Sequence, residues 1–534
     1  MTCMWFGAAG QTARLAVGLF LPMAACLFSG GCGRTSIPSQ EASSKHTLRV
    51  ALDSDIYSMD PHRLYETTTL SVIENVFETL VMQDSNLKVI PGLASHWETP
   101  DDLTWRVHLR RGVMFHNGEE MRSVDVKFSY ERVLNWPESG FVNLINAVDR
   151  VDVVDDYTVD IKLSKPYGVV ANLGAISIIP ARYVREQGAQ AFVEKPVGTG
   201  PFKFVERKPG EYIKLRAFDD YWRGRPGFDE MVFMPVPSPD RRVEMLEAGQ
   251  ADIAWMIPVR RDPPVNYRAY FQPALHVFYL AFDCGRMKTP YVDQPENPFR
   301  DVRVRQAFLY GIDTAGLIDA VFDGHAYQAS QLVSPNIFGY SSTIKRPATD
   351  RERARELLTE AGFAGGFGVT LDMMPSRKAV GEFLQKDLAR FGVRATLNLV
   401  PKEDFFKKIY SRTGDPASQN DTSMYFLGWA CSSGDASEVF EYALHTFEPQ
   451  RLLGVNNGTG YSNKEVDRLV EESLSTFDSK ERLKLLQDAM ILVMRDLPWV
   501  PLYIWEDVYG VSNAISYTPR LDDHILGFDA RPRS

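Results

Sequence analysis

From Thr47 onward the chain alternates short apolar runs with helical stretches, and this alternation constrains the fold more than any other feature. Apolar and β-branched residues predict strands at Leu103–Leu109, at His276–Phe282 and, on either side of Asp155, within Val151–Leu163. No repeat period or low-complexity block interrupts the pattern. Strands and helices that alternate in this way predict an α/β or mixed architecture.

Most of the predicted helices lie in the second half of the chain and begin at residues suited to capping. Asp301 is predicted to cap a helix in which Val304, Phe308, Ile312 and Ala315 share one face. Other helices are predicted at Val124–Leu134, Arg351–Ala361 and Asn463–Phe477 and from Asp478 through Met494, with Ser123 and Asp350 as N-caps and Gly362 as a C-terminal glycine. Their apolar stripes are more typical of core packing than of a ligand surface.

The charge balance argues against nucleic acid as the main partner. Lys and Arg number 59 against 69 Asp and Glu, a formal net charge of −10, and no long basic run is present. With 534 residues, the chain is long enough for several folding units or two large lobes. It therefore needs neither a metal nor disulfides to build a core.

The N-terminus resembles an export signal. Arg14 precedes the apolar stretch Leu15–Phe28, and small residues follow as far as Gly31, which together predict a secretory signal peptide over residues 1–31. The stretch is short for a membrane span and is interrupted by Pro22. A buried N-terminal helix is the alternative interpretation.

Cys32 ends the segment Ser29-Gly30-Gly31-Cys32, which resembles a bacterial lipobox. The resemblance implies that Cys32 becomes the first residue and carries lipid, although Ser29 stands where most lipoboxes have Leu. Cys26 is a weaker competing site. Residues 32–46 are polar and predict a flexible tether that holds a globular body at a membrane.

Motifs of several enzyme classes and of metal sites are missing. The nine histidines are scattered without a zinc-binding spacing, and no Gly-x-Ser-x-Gly elbow is present. The loop Gly198–Phe202 looks like a phosphate loop, but Pro201 removes a backbone donor from it. Besides Cys32, the exported chain keeps only Cys284 and Cys431, which leaves open whether they pair. The sequence therefore predicts no metal and no cofactor, while two cleft carboxylates of a secreted hydrolase remain an alternative.

Five segments contain distinctive motifs: Leu103–Gly118 (LTWRVHLRRGVMFHNG), Pro196–Phe202 (PVGTGPF) with Asp219–Trp222 after it, Val302–Asp313 (VRVRQAFLYGID), Arg353–Phe363 (RARELLTEAGF) and Tyr425–Trp429 (YFLGW). In this order they resemble the peptide/nickel family of bacterial solute-binding proteins (family 5) that serve ABC importers. The likeness covers essentially all of the chain from residue 48 to residue 529.

The resemblance implies a periplasmic-binding-protein-like fold of two lobes around a hinged cleft. Lobe one is expected at residues 47–275 plus 506–534, in two subdomains, and lobe two at residues 276–505. The hinge strands are expected near His276–Phe282 and Val500–Trp505. A ligand would bind between the lobes, and the closed monomer would present it to a membrane permease.

The resemblance also implies where the ligand binds in lobe two. Trp429, after Gly428, is the leading candidate, because its indole offers a flat face and one donor. Peptide-binding members often have Asp three residues after this Trp, where it pairs with a peptide ammonium; here that residue is Ser432. Either Asp435 takes over this role or the ligand has no free amine there.

Three further ligand contacts are expected. Arg377 lies near the place where some dipeptide-binding relatives hold a ligand carboxylate, a task that suits the planar guanidinium. Lobe one is expected to contribute Tyr57, in the loop after the first strand, and Thr199. A nickel chelate is an alternative ligand, but His445 is isolated in the sequence. The sequence thus predicts a binding protein for a peptide or related small solute, without enzymatic activity.

Overall fold

The computed structural model describes residues 46–64, 66–260, 264–410 and 420–533. The predicted signal peptide, the lipobox with Cys32 and nearly all of the predicted tether therefore lie outside the described residues. Within the described ranges, no helix combines the length and the apolar character needed to cross a bilayer.

Nineteen strands are assigned within the described residues: β1 (Thr47–Leu52), β2 (Val81–Gln83), β3 (Val89–Pro91), β4 (Ala94–Asp101), β5 (Thr104–Leu109), β6 (Val148–Asp155), β7 (Thr158–Leu163), β8 (Phe202–Lys208), β9 (Tyr212–Ala217), β10 (Glu230–Pro235), β11 (Ile253–Trp255), β12 (Tyr267–Phe282), β13 (Ala326–Gln328), β14 (Phe367–Met373), β15 (Val393–Leu399), β16 (Met424–Ala430), β17 (Trp499–Ser512), β18 (Ile515–Ser516) and β19 (Arg531–Pro532).

Fourteen α-helices accompany them in the same ranges: α1 (Thr67–Ile73), α2 (Ser123–Leu134), α3 (Val170–Leu173), α4 (Ala181–Gln187), α5 (Ala189–Glu194), α6 (Pro239–Glu247), α7 (Val302–Gly311), α8 (Thr314–Phe322), α9 (Arg351–Glu360), α10 (Lys378–Ala389), α11 (Lys402–Ile409), α12 (Ser437–Val439), α13 (Lys464–Ser475) and α14 (Ser479–Asp496). A π-helical turn, Phe440–Leu444, continues α12.

One large mixed sheet runs through the molecule in the order β15-β14-β16-β12-β17-β11-β1-β10-β9-β8, with β13 on β17. The two longest strands, β12 and β17, pair antiparallel at its centre. β12 continues to β16 on one side, and β17 continues to β11 on the other. These two strands therefore connect the two halves of the sheet.

The pairing of β12 with β17 is interrupted between the two halves. Pro273 lies opposite Glu506 and Val277 opposite Ile504, so three residues of β12 face Trp505 alone. A bulge of this kind bends and twists a strand locally. The sheet thus has a built-in bend where it passes from one half to the other.

Each half of the sheet has its own hydrophobic core. One core contains Val50, Phe233 and Tyr509, and the other contains Phe426 and Tyr503. A separate antiparallel sheet, β4-β5-β7-β6, packs with α2. The mixed α/β class predicted from the sequence is confirmed.

Most predicted elements are present, with two corrections. Ser123 is the first residue of α2 and Arg122 is the N-cap. The helix capped by Asp301 ends at Gly311, and Ala315 belongs to α8. The chain turns there because the Asp313 carboxylate accepts a hydrogen bond from the N–H of Gly316 and starts a new helix. Cys284 and Cys431 are both free thiols.

Candidate functional site

Strand ends from both halves of the sheet converge at the bend. β1 and β11 are parallel, and β11 is antiparallel to β17, so the carboxyl ends of β1 and β11 point toward the bend. β14 and β16 are parallel to each other, and β16 ends at Ala430 opposite His276, so their carboxyl ends point there from the other half. Loops at such converging carboxyl ends are a frequent location of ligand sites in α/β proteins.

Arg377 lies at this place because of the turn that follows β14. A 3₁₀ turn, Pro375–Arg377, directs the chain from the strand into α10, with Arg377 as the N-cap residue. The free N–H groups at the start of α10 add positive potential to that of the guanidinium. The site is therefore electropositive before any ligand is considered.

The Arg377 guanidinium lies against two aromatic rings and has no acidic partner. Its Cζ is 4.8 Å from the ring centroid of Phe278 and 4.9 Å from that of Trp505. No carboxylate among the described residues forms an ion pair with it, and its buried Nε has no hydrogen-bond acceptor. Aromatic faces stabilise a cation but do not accept its in-plane hydrogen bonds. The guanidinium is thus held in place with donors unused.

Gly428 allows this aromatic floor to form. It lies opposite Phe278 in the pairing of β16 with β12. A Cβ atom at residue 428 would come within 2.7 Å of the Phe278 ring. Glycine therefore lets the ring lie flat against β16 and beneath Arg377.

Two titratable neighbours of Arg377 are held in their neutral forms. Burial lowers the pKa of His276, and the charge of Arg377 adds to this effect. Burial raises the pKa of Tyr503, whose ring stacks on Phe278 at 4.9 Å. Neither residue supplies a negative charge to Arg377 at neutral pH.

Trp429 lies on the opposite face of the same strand end. It pairs with Val277, whereas Gly428 pairs with Phe278, so Trp429 and Arg377 belong to opposite faces of the sheet. The Trp429 ring is buried with its centroid 6.2 Å from that of Trp499, and its Nε1 has no hydrogen-bond partner in the described part of the chain. A buried indole donor without an acceptor is unusual and is satisfied when a ligand supplies one.

The loop after β16 has an internal ion pair. Both carboxylate oxygens of Asp435 accept hydrogen bonds from Arg482, at 2.5 and 2.8 Å, and both residues are buried. Ser432 is half-buried, and the next residue, Ser433, donates its N–H and hydroxyl to Glu438. The charge of Asp435 is therefore neutralised by Arg482 inside the protein. Its carboxylate is not available to pair with a ligand ammonium near Ser432.

The two candidates expected from lobe one lie elsewhere in the structure. Tyr57 is 65% exposed, with the Arg63 guanidinium 5.9 Å from its ring, and lines an open cavity of about 890 Å³. Thr199 is fully buried beside Glu78. Among the described residues, no contact joins either of them to Arg377.

His445 is isolated from other histidines in the sequence, but the fold gives it two acidic neighbours. Its ring nitrogen and the carboxylates of Glu448 and Glu471 lie within 4.8 Å of one another, a spacing that could hold a metal ion. However, Arg451 forms ion pairs with both carboxylates, so its guanidinium already neutralises part of the negative charge that a metal ion would need. The sequence spacing of these three residues does not indicate that they lie together; the fold brings them into one cluster.

Sequence reasoning missed Phe278 and Trp505 as parts of the site. Both lie in segments predicted as hinge strands, but neither was singled out as a ligand contact. The available signal was their place in the two strands expected to cross between the lobes.

Comparisons with known proteins show the family and the fold. The family model described as bacterial extracellular solute-binding proteins, family 5, middle region, matches residues 88–450. The fold is that of two-lobed periplasmic binding proteins: a solved structure of HbpA2 from Haemophilus parasuis has a TM-score of 0.79 at 22% identity and covers 91% of this chain and 100% of its own. The chain therefore belongs to family 5 of the bacterial extracellular solute-binding proteins.

Two curated relatives match over nearly their whole length. The glutathione-binding protein GsiB of Salmonella choleraesuis is 28% identical over 511 residues, which cover 93% of this chain and 96% of that protein. Heme-binding protein A of Haemophilus influenzae is 27% identical over 554 residues, which cover 96% and 95% respectively. A dipeptide-binding protein of Pseudoalteromonas in complex with Met-Leu has a TM-score of 0.69 at 21% identity and covers 91% of this chain and 100% of its own.

Proposed function

We propose that the protein is an exported, lipid-anchored binding protein that captures a peptide or peptide-like solute between two lobes and delivers it to an ABC importer. The observation that carries the solute class is the Arg377 guanidinium, which lies against two rings where strand ends converge and has no ion-pair partner among the described residues. A ligand carboxylate supplies both the charge and the two acceptors that this guanidinium lacks. Relatives named for glutathione and for a dipeptide favour the same ligand class.

Residues 47–275 with 506–534 form lobe one in this proposal, and residues 276–505 form lobe two. The break in pairing between β12 and β17 supports these limits, because it falls between Pro273 and Val277 on one strand and at Trp505 on the other. Fewer regular hydrogen bonds hold the two strands together there, so bending is least costly at this place. The four-stranded sheet β4-β5-β7-β6 corresponds to the second subdomain of lobe one.

The proposed ligand-binding residues in lobe two are Arg377, Gly428, Trp429 and Ser432. The free donors of Arg377 and of the Trp429 indole support this assignment, since both await an acceptor. Tyr57 belongs to the site only if its loop moves toward Arg377 when the lobes close. The role proposed for Thr199 is weakened by its complete burial.

The membrane anchor rests on the sequence around Cys32. A lipid on this residue would hold the protein at the outer face of a membrane, with residues 33–46 as the tether. Replacing Cys32 with Ala is expected to release the protein into the soluble fraction of cells. Retention of the Cys32→Ala protein in the membrane fraction would contradict lipidation.

The ligand class is tested by native mass spectrometry of the purified protein, followed by calorimetric titration with small peptides. A co-purified peptide-sized mass, or saturable binding of trialanine or glutathione without loss of the peptide, is the expected result. Absence of binding across a peptide panel, or the appearance of cleavage products, would contradict the proposed function.

A further inference from the structure

Two buried carboxyl groups, Asp507 and Asp523, meet beside the bend on the lobe-one side. Asp507 lies on β17, and Asp523, in the C-terminal segment, binds the hydroxyl of Tyr509, two residues after Asp507 on the same strand. The two carboxyl groups act on each other electrostatically. They are 5% and 8% exposed, respectively. No Lys, Arg or His among the described residues forms an ion pair with either one. Two carboxylates this close and this buried do not both carry a charge at low cost.

One oxygen of this pair is unused. Asp523 accepts a hydrogen bond from the Tyr509 hydroxyl at 2.9 Å, but Oδ2 of Asp507 is buried and has no partner in the described part of the chain. Arg520, the cation in the same segment, is bound by Asp522 and by the carbonyls of Gln83 and Asp84. The pair therefore has an acceptor and a negative charge that the protein itself does not satisfy.

The pair lies on the same face of β17 as the Arg377 site. Alternate residues of a strand share a face, so Tyr503, Trp505, Asp507 and Tyr509 point to one side. Contacts at both ends agree with this, because Tyr503 stacks on Phe278 and Tyr509 bonds to Asp523. The Arg377 guanidinium lies over the ring of Trp505. Asp507 is two residues further along β17, a distance of about 7 Å along a strand.

We propose that the Asp507–Asp523 pair binds the ammonium group of the same ligand whose carboxylate is held by Arg377. The ligand class is then an amino-carboxylate, such as a short peptide with both ends free. Its cationic end binds lobe one and its anionic end lobe two, so one molecule contacts both sides of the bend. This inference rests on the proposed function and assigns the free-amine contact that neither Ser432 nor Asp435 provides.

Binding exchanges one positive charge for another. Without ligand the pair holds one shared proton; when the ammonium arrives, both carboxyls become carboxylates and the proton leaves to solvent. Burial raises the pKa of both groups, which agrees with a held proton near neutral pH. The other titratable groups whose charges act on the pair are Tyr509, Asp522 and Glu506. Glu506 points to the opposite face of β17, where its carboxylate bonds to His325 at 2.8 Å.

The test compares Asp507→Asn and Asp523→Asn with the wild type, using trialanine and N-acetyl-trialanine as probes. Asn suits residue 523, whose φ of +63° lies in the left-handed region that Asn tolerates. The wild type is expected to bind the free peptide about 30-fold more tightly than the acetylated one, as loss of a buried charged partner implies. Both variants are expected to lose this preference. Asp319→Asn, the same change at an exposed residue of α8, is expected to keep it.

Calorimetry at about pH 6 in buffers of different ionisation enthalpy provides a second readout. The wild type is expected to release about one proton on binding trialanine, and both Asn variants none. Thermal unfolding of the variants at or above the wild-type temperature shows that they fold, because each change removes a buried acid from a like-charged pair.

The outcomes separate this inference from the proposed function. If the wild type binds trialanine and both variants keep its preference for the free amine, the carboxyl pair does not bind the ammonium, and the proposed function stands. If the wild type binds no peptide, the proposed function fails and this inference fails with it. If the wild type cleaves the peptide, both proposals are overturned.

Discussion

At the scale of single residues, the site is defined by donors that the protein leaves unused. Most arginines in folded proteins are exposed or paired. Arg377 lies against Phe278 and Trp505, and the described part of the chain offers it neither a carboxylate nor an acceptor for Nε. Stacking orients the guanidinium and restricts its rotamers, so less conformational entropy is lost when a carboxylate binds.

Replacing Arg377 with Gln is expected to weaken binding of trialanine by about 10- to 100-fold, because a charge-assisted contact to the carboxylate is lost. Binding of the C-terminally amidated peptide is expected to change little. Isothermal titration calorimetry measures both. Lys378→Gln, at the exposed next residue, is the matched control. Equal weakening for the acid and the amide would contradict a carboxylate contact at Arg377.

At the scale of elements, the loop after β16 is held by the buried pair of Asp435 and Arg482, which ties it to α14. Burial alone raises the pKa of Asp435, but the charge and hydrogen bonds of Arg482 outweigh this effect and hold the pKa below its ordinary value. A carboxyl group of this kind stabilises the fold above its unfolded-state pKa, near 4. This contribution is lost as the pH falls through the lower, folded-state value.

Asp435→Asn is therefore expected to lower the free energy of unfolding by about 3 kcal/mol at neutral pH, because Arg482 is left buried without its counter-charge. The difference from the wild type is expected to shrink as the pH falls below about 4, where Asp435 of the unfolded chain takes up a proton, and to vanish below the lower pKa of the folded state. Denaturant unfolding at several pH values measures it, with Asp319→Asn as the control. A difference that stays constant down to strong acid would contradict the ion pair as its cause.

Unlike the pair of Asp435 and Arg482, which lies within proposed lobe two, the contact of Gly168 with Leu474 joins the two proposed lobes. The N–H of Gly168 donates to the carbonyl of Leu474 at 2.6 Å, and the ring of Trp105 packs on Phe477 at 5.6 Å. A Cβ at Gly168 would lie 2.0 Å from the carbonyl oxygen of Thr476, so only glycine permits this approach.

Gly168→Ala is expected to weaken peptide binding by about tenfold, although residue 168 lies outside the proposed ligand contacts, because the closed arrangement is disfavoured. Calorimetry with trialanine measures the affinity. Gly365→Ala, where no atom lies within 4 Å of the added Cβ, is the control. An unchanged affinity would show that the contact between Gly168 and Leu474 does not take part in closure.

Local patterns predicted the elements better than they predicted the site. Capping by Asp301 and Asp350 was predicted correctly, because a cap acts within a few residues. The end of α7 was missed, since Ile312 and Ala315 continue the helical spacing while the Asp313 cap breaks it. Local chemistry decides such features, and the sequence displays it directly.

The site depends on pairing between distant segments, which a single sequence does not display. Arg377 was singled out through the family resemblance, but its contact with Phe278 and Trp505 depends on strands far apart in the chain that pair in one sheet. Likewise, Asp435 was a reasonable ammonium partner until the fold placed Arg482 against it. Asp507 and Asp523 gave no signal, because acidic residues are common and most are solvated.

At the scale of the whole molecule, the account is one of two lobes joined by two strands with a bend between them. A ligand favours the closed form only through contacts that both lobes make with it. Arg377 on one side and the Asp507–Asp523 pair on the other meet this requirement with opposite charges. Binding and bending are thereby coupled through a single small molecule.

Small-angle X-ray scattering of the purified protein, with and without saturating trialanine, tests this coupling most directly. The radius of gyration is expected to fall when the peptide is added, and to stay unchanged with N-acetylated, C-terminally amidated trialanine at the same concentration. A scattering profile that is the same with and without the bound free peptide would contradict closure of two lobes around the ligand.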